Sequence, residues 1–353
     1  MSAAPGPFSY TGFAQRIRFG EGSLAHLDEE VRLLGFSRVA ILTGAFHSPL
    51  GATVLAQLGP LGAAHLDTAI EHTPLEVTEA AMARLTGERI DGLVAIGGGA
   101  AVGLAKAIAA RTGLGLLAVP STFAGSEMTA VLGESDKGVK STRKDPRVVP
   151  RTVLYDSELA AQMPPGLAAT SGMNALAHAF EALWAPDANP LTDLLATESI
   201  RLLASALPAI LAGDDAAGEA LLGACFAGNC LATTTMGLHH RLCHLLGGSC
   251  ALPHAATHAV LLPHVLALNA EAVPTAMGRV ASALGLGGAG EVPGALSRLA
   301  AGLGVPTSLR ALGMDQGAIP QVLETVLASG GANPVPLTKA VLGDLLLGAW
   351  AGR

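Results

Sequence analysis

Histidine supplies the most conspicuous chemistry of this chain. Six of its eleven histidines fall in the stretch from His239 to His264, HHRLCHLLGGSCALPHAATHAVLLPH. His240 and His244 are one helical turn apart and would share a helix face, with Gly247-Gly248 reading as the stop of that helix. Pro253-His254 then presents another imidazole after a short loop. Upstream, SGMNALAHAFEA places Asn174 and His178 at i and i+4. Two helices, each with polar groups on one face, plus a loop histidine can build either a mononuclear metal centre or a proton-transfer site.

A second set of residues suits a nucleotide. GGGAAVGLAK, residues 97–106, follows an aliphatic run and opens a helix-like segment. Glycines let the backbone approach a pyrophosphate, and a helix start offers free N–H groups and a positive dipole. PSTFAGSE, residues 120–127, adds hydroxyls at Ser121, Thr122 and Ser126. These suit ribose or phosphate contacts, or helix caps. Thr43-Gly44, at the end of an earlier aliphatic run, has no carboxylate to pair with an adenosine ribose, so strict NAD preference is not expected.

The elements that must position these groups change character along the chain. Runs at 38–42, 92–96, 114–119 and 152–155 alternate with helix-like segments such as 74–86 and 102–111. Alternating strands and helices predict a parallel, helix-covered sheet. Its ligands would bind beyond the carboxyl ends of the strands. The basic, turn-rich segment 133–151 reads as a hairpin or loop. Beyond residue 158 long Ala/Leu-rich segments, such as 191–212, 216–236 and 274–284, carry no strand signal. The expected division is therefore residues 1–158, an α/β dinucleotide-binding domain, and residues 159–353, an all-helical domain carrying the histidines.

Composition bounds the function classes. At 353 residues the chain exceeds a single core, and 3% aromatic content demands cores of Ala, Leu and Val. A net charge of -7 argues against nucleic acid or an anionic membrane as partner. The mean hydropathy of +0.47 is high, but the apolar segments read as too short or too broken to span a bilayer. The first residues resemble no export signal, and Cys225, Cys230, Cys243 and Cys250 read as buried thiols of a reducing cytoplasm.

Taken together, GGGAAVGLAKAIA, PSTFAGSEMT, KDPRVVPRTVLYD, SGMNALAHAFEA, GLHHRLCHLLGG and LPHAATHAVLLPHVLALN resemble the maleylacetate reductases of the iron-containing alcohol dehydrogenase superfamily. The resemblance runs nearly end to end. It implies an α/β dinucleotide domain, a helical domain, an active site in the cleft between them, NADH or NADPH as cofactor, a small-molecule substrate and a homodimer. The superfamily's metal is held by an aspartate and three histidines. Asn174 stands at the aspartate position, and His178, His240 and His254 at the histidine positions. Because asparagine is neutral, and because maleylacetate reductases resemble this chain there, the expectation is that no metal is required. His244 matches a histidine near the nicotinamide, Lys140 matches a cofactor-contacting lysine, and Gly97, Gly98, Gly99, Ser121, Thr122 and Ser126 match the dinucleotide site.

The chain departs from that pattern at Ala100, where serine is usual, at Arg241, where lysine is usual, at the small Val131 and Leu132, and at Val335, where an arginine is typical. The last change would remove a charge-assisted contact to a substrate carboxylate. The leading expectation is NAD(P)H-dependent reduction of an activated carbon–carbon double bond, with His240, His244 and His254 stabilising and protonating the enolate and Asn174 and His178 orienting them. Arg241, Lys140 and Arg151 are candidate partners for substrate charge. The alternatives are a metal-dependent alcohol dehydrogenase acting on a carbonyl, and a non-redox relative that only binds.

Overall fold

The computed structural model describes residues 7–353 except Gly138, and leaves aside the side chains of Val139 and Lys140. It separates into two compact units, Phe13–Met163 and a helical unit that comprises Pro164–Arg353 with residues 7–12.

In the first unit, strands β1 (Arg16–Gly20), β2 (Val39–Leu42), β3 (Gly62–Leu66), β4 (Gly92–Gly97), β5 (Gly115–Pro120) and β8 (Thr152–Asp156) form one sheet in the order β1-β8-β5-β4-β2-β3. All pairings in it are parallel. Helices α1 (Leu27–Leu33), α2 (Ser48–Leu58), α3 (Leu75–Leu85) and α4 (Gly99–Thr112) connect the strands, and α5 (Ser157–Ala161) follows the last. Alternation sorts the strand side chains between two cores. Ala40, Leu42, Leu93 and Ala95 pack with Val102, Leu104 and Ile108 of α4. Val39, Ile41, Val94 and Ile96 face Leu27, Val31, Val54 and Leu58 of α1 and α2. A parallel sheet covered on both faces needs such unbroken apolar strands. Segment 133–151 contributes an antiparallel hairpin, β6 (Val131–Asp136) and β7 (Val139–Lys144).

The second unit is helical among the described residues: α6 (Pro165–Ala182), α7 (Pro190–Ala212), α8 (Ala217–Thr233), α9 (Leu238–Ser249), α10 (His254–Asn269), α11 (Pro274–Ala283), α12 (Val292–Gly302), α13 (Ile319–Ser329) and α14 (Lys339–Ala351). Helix α7 starts on an Asn189/Thr192 capping box with Pro190 in its first turn, and ends on Gly213 in the left-handed region. Most of α6 is buried, and it packs against α7, α8 and α10. Small residues make this possible: an added Cβ at Gly172 would collide with Leu207 of α7. Helix α7 corrects one expectation, since it is long and apolar enough to cross a membrane by length and composition. Its Ile200, Leu203, Ala206 and Leu207 are instead buried in the helical unit, where it packs on α6 and α8.

Candidate active site

Three features of the helical unit gather the imidazoles. Helix α6 carries Asn174, His178 and Glu181 at i, i+4 and i+7, on one face. Helix α9 carries His239, His240 and His244. His254 is the first residue of α10, so it is a helix-start histidine rather than the loop histidine expected. Helix α9 also runs through Gly247-Gly248 to Ser249, and the chain turns only at Ala251, where φ is +52°.

The rings form a continuous cluster. His178 Nδ1 lies 2.7 Å from His240 Nε2, and the two rings stack with centroids 4.8 Å apart. Ring centroids are 6.4 Å apart for His240 and His244, and 5.9 Å for His244 and His254. His258 joins them, 4.5 Å from His254 and 5.0 Å from His240. Asn174, His178, His240, His244 and His254, expected to cooperate, therefore all lie on the helices that converge here, with the four imidazoles in one chain of ring contacts.

Glu181, which the sequence reading passed over, organises the cluster. Its buried carboxylate accepts the N–H groups of Gly237 (3.0 Å), His239 (2.7 Å) and His240 (3.3 Å) at the start of α9. It also accepts His240 Nδ1 at 2.5 Å. Burial alone would raise its pKa. The bond and charge of His240, followed by His239, outweigh burial and hold it down at about 2. A carboxylate can only accept, so His240 Nδ1 carries a proton, and its Nε2 is the nitrogen that meets His178. The signal for Glu181 was its place one turn after His178 on the same face.

A cation could be held here. Asn174 Oδ1 is buried and has no hydrogen-bond partner among the described residues, as suits an oxygen that ligates an ion. The pairing of His240 with a carboxylate is the support that a metal-bound imidazole usually receives. Asn174, His178, His240 and His254 thus form a fitting, though carboxylate-free, donor set. Behind it, His239, Cys243 and His258 are buried with ligand atoms all within 4.8 Å of one another. Burial pulls His239 down to about 3 and His258 well below its ordinary value, and pushes the Cys243 thiol up.

In the α/β unit, Gly97 ends β4 and Gly98 caps α4 without any side-chain cap. The first N–H groups of a fourteen-residue helix are therefore left for an anion. A Cβ at Gly98 would lie 2.9 Å from Thr122 Cγ2, so glycine is what keeps this turn narrow. Ser121 is tied to the same turn, its N–H donating to Gly97 O at 3.1 Å. The buried Lys106 of α4, unnoticed in the sequence, clamps the following segment. Its Nζ donates to Ser126 O (2.6 Å), Thr129 O (2.8 Å) and Val131 O (2.9 Å). Gly97, Gly98, Gly99, Ser121 and Thr122 hence cluster at the carboxyl ends of β4 and β5, with Ser126 held on Lys106 further along α4, and the turn suits a dinucleotide's phosphates.

One candidate cannot be placed and one falls away from these groups. The side chain of Lys140 lies outside the described residues. Arg151 is a correction: its N–H bonds Leu116 O at 2.7 Å and its guanidinium lies 6.0 Å from the Phe36 ring centroid. That is the amino-terminal end of β5, opposite the glycine turn, so it cannot meet a ligand bound there.

Comparison with known proteins agrees with this geometry. Residues 14–157 match the family described as iron-containing alcohol dehydrogenase, and residues 168–350 match its C-terminal part. Maleylacetate reductase 1 of Rhodococcus opacus is 41% identical, covering 100% of this chain and 99% of the relative. Maleylacetate reductase 2 of Cupriavidus pinatubonensis is 46% identical over 96% of this chain and 95% of its own. The crystal structure of maleylacetate reductase from Agrobacterium tumefaciens superposes with a TM-score of 0.93 at 41% identity, covering 98% and 99% of the two chains. These matches overturn the expectation that no metal is required, because the family is an iron-containing one, and the amide and imidazoles described above can accommodate the ion. With both units matched and full-length relatives at this identity, the chain is an oxidoreductase belonging to the iron-containing alcohol dehydrogenase family.

Proposed function

We propose that this protein reduces the activated carbon–carbon double bond of maleylacetate, consuming NADH or NADPH and a proton and giving 3-oxoadipate. The observation that carries the reading is the placement of His240 and His244 on the wall of a cavity of about 390 Å³ in the helical unit, next to the imidazole cluster. Relatives that bear the name maleylacetate reductase over their full length support it.

The α/β unit would hold the nucleotide. Free N–H groups at the start of α4 would receive the pyrophosphate, with Ser121, Thr122 and Ser126 as further polar contacts and Lys106 fixing the segment that carries Ser126. A reduced nicotinamide bound there would provide the hydride that the electron-poor carbon accepts. In the helical unit Asn174, His178, His240 and His254 would hold the metal ion, which when bound polarises a substrate oxygen. Glu181 holds a proton on His240 Nδ1, which leaves Nε2 as the nitrogen of that ring that would serve as a ligand. His244, one turn along α9 and on the cavity wall, would deliver the proton to the carbon next to the one that bears the developing oxyanion. The apolar Met236, Leu245 and Val326 line the same cavity.

The enzyme is further proposed to act as a cytoplasmic homodimer. The resemblance supports the dimer, and the buried thiols of Cys230 and Cys243, the first pushed up to about 12, suit a reducing compartment. The decisive experiment follows NADH and NADPH oxidation against maleylacetate and against simple ketones and aldehydes. Turnover with maleylacetate at least a hundredfold more efficient than with any simple carbonyl is expected. The reverse order would establish a carbonyl-reducing alcohol dehydrogenase instead.

A further inference from the structure

The cavity that holds His240 and His244 also contains Arg241, the one permanently charged side chain among its lining residues. Both Nη1 and Nη2 of Arg241 are buried and have no hydrogen-bond acceptor among the described residues. A guanidinium withdrawn from water is ordinarily matched by a carboxylate or carbonyl oxygens. Glu181 is the nearby anion, and its oxygens are already taken by three backbone N–H groups and by His240.

What covers the guanidinium is a short strap. Ser329 closes α13 with a bond from its hydroxyl to Val326 O at 2.8 Å. Asn333 is anchored by reciprocal amide bonds to Asn269 at 3.0 and 2.7 Å. Between them run Gly330, Gly331 and Ala332, with φ of +61° and +106° at the two glycines. An ideal Cβ at Gly331 would lie 2.7 Å from Arg241 Nη1, so the strap rests directly on the charged group. Val335, just beyond, brings no charge, and its backbone is spent on Asn269 and Asn333.

We infer that Arg241 is the receptor for a carboxylate of the substrate, and that the Gly330–Ala332 strap yields to admit it. The inference rests on the proposed reduction of a dicarboxylate. It deepens that reading by assigning the substrate's charge to a residue on the same helix as His240 and His244. A carboxylate oxygen pair seated on Nη1 and Nη2 satisfies both orphan donors through a forked contact. It also fixes the acid end of the substrate one residue from His240 and three from His244, which sets where along the cavity the double bond lies. The strap's two glycines, both in the left-handed region, can change course at little steric cost.

The test compares Arg241→Met, Arg241→Lys and Gly331→Ala with the wild-type enzyme. Arg241→Met should raise KM for maleylacetate roughly ten- to a hundredfold, leave KM for the nucleotide unchanged, and lower kcat less than kcat/KM. Arg241→Lys should recover part of the loss, having charge without the fork. Gly331→Ala should weaken the diacid severalfold by crowding the guanidinium. Succinate, a dicarboxylate with no bond to reduce, should protect the wild type against thermal unfolding and inhibit it competitively, and do neither with Arg241→Met. An Arg241→Met enzyme with wild-type KM and wild-type succinate protection overturns the inference, as does an Arg241→Lys enzyme with both unchanged should the Met variant not fold. If the wild type ignores maleylacetate while succinate protection still depends on Arg241, the proposed reaction falls and the carboxylate receptor stands.

Discussion

Replacing Glu181 by glutamine should destabilise the helical unit and slow turnover together. The carboxylate lies at the junction of α6 and α9, where it collects three backbone N–H groups and one imidazole N–H. The fall of its pKa from the ordinary 4.5 to about 2, against burial, corresponds to roughly 3 kcal/mol of preference for the charged form. Glutamine is nearly isosteric but offers one acceptor oxygen, and its amide turns two further donors toward donors. Each buried N–H left without an acceptor costs about 1–3 kcal/mol. A net loss of about 3–5 kcal/mol follows, the range seen when one partner of a buried pair is removed. The same change releases the His240 proton from Nδ1, and loss of such a support typically costs about 10- to 100-fold in activity or metal affinity. The assay is guanidinium unfolding followed by far-ultraviolet circular dichroism, with steady-state kinetics alongside. Glu181→Asp, which keeps the charge with a shorter reach, should fall between the two. Unchanged unfolding midpoint together with more than half of wild-type turnover in Glu181→Gln would refute the reasoning.

Three further outcomes are expected. Burial pulls the Lys106 amine down to about 7, with the Glu127 charge opposing, whereas the unfolded chain keeps that proton until about 10.5. Between these values the unfolded state binds more protons, so stability of the α/β unit should rise with pH from about 7 to 10.5; Lys106→Met should flatten that rise in pH-dependent denaturant curves, and identical slopes would count against it. Gly98→Ala sets a Cβ against Thr122 at 2.9 Å and should weaken NADPH binding about tenfold in a fluorescence titration, whereas equal affinity would remove Gly98 from the nucleotide turn. Asn174→Asp adds an anion to the amide and imidazole donors, so it should bind Fe(II) or Zn(II) at least about tenfold more tightly by calorimetry and show a larger thermal shift; no change in affinity would place the ion elsewhere.

The legible parts of this chain were those whose signal is local. Strands β2, β4, β5 and β8 are buried on both faces and read as unbroken aliphatic runs. Strand β1 escaped because it is an edge strand with alternating Arg16 and Arg18 and only partial burial. Strand β3, GAAHL, has little β-branched content and is recognised as a strand only through its pairing with β2. Gly247-Gly248 suggested a helix stop, but each glycine costs only about 1 kcal/mol, and the packing of α9 continues the helix to Ser249. Arg151 illustrates the opposite limit: a cation near the right motif in sequence lay at the wrong end of the sheet.

By itself the sequence determined which imidazoles share a helix face and where the glycine turn meets its strand. It also determined that the chain falls into an alternating half and a helical half, since periodicity and turn chemistry act over a few residues. Only the tertiary structure decided that Glu181 would reach across to α9, that Lys106 would turn inward to hold the Ser126 segment, and that Gly331 would lie over Arg241. Those contacts join residues 58, 20 and 90 positions apart. They exist because a buried charge must find its partners wherever the fold brings them, which no local pattern encodes.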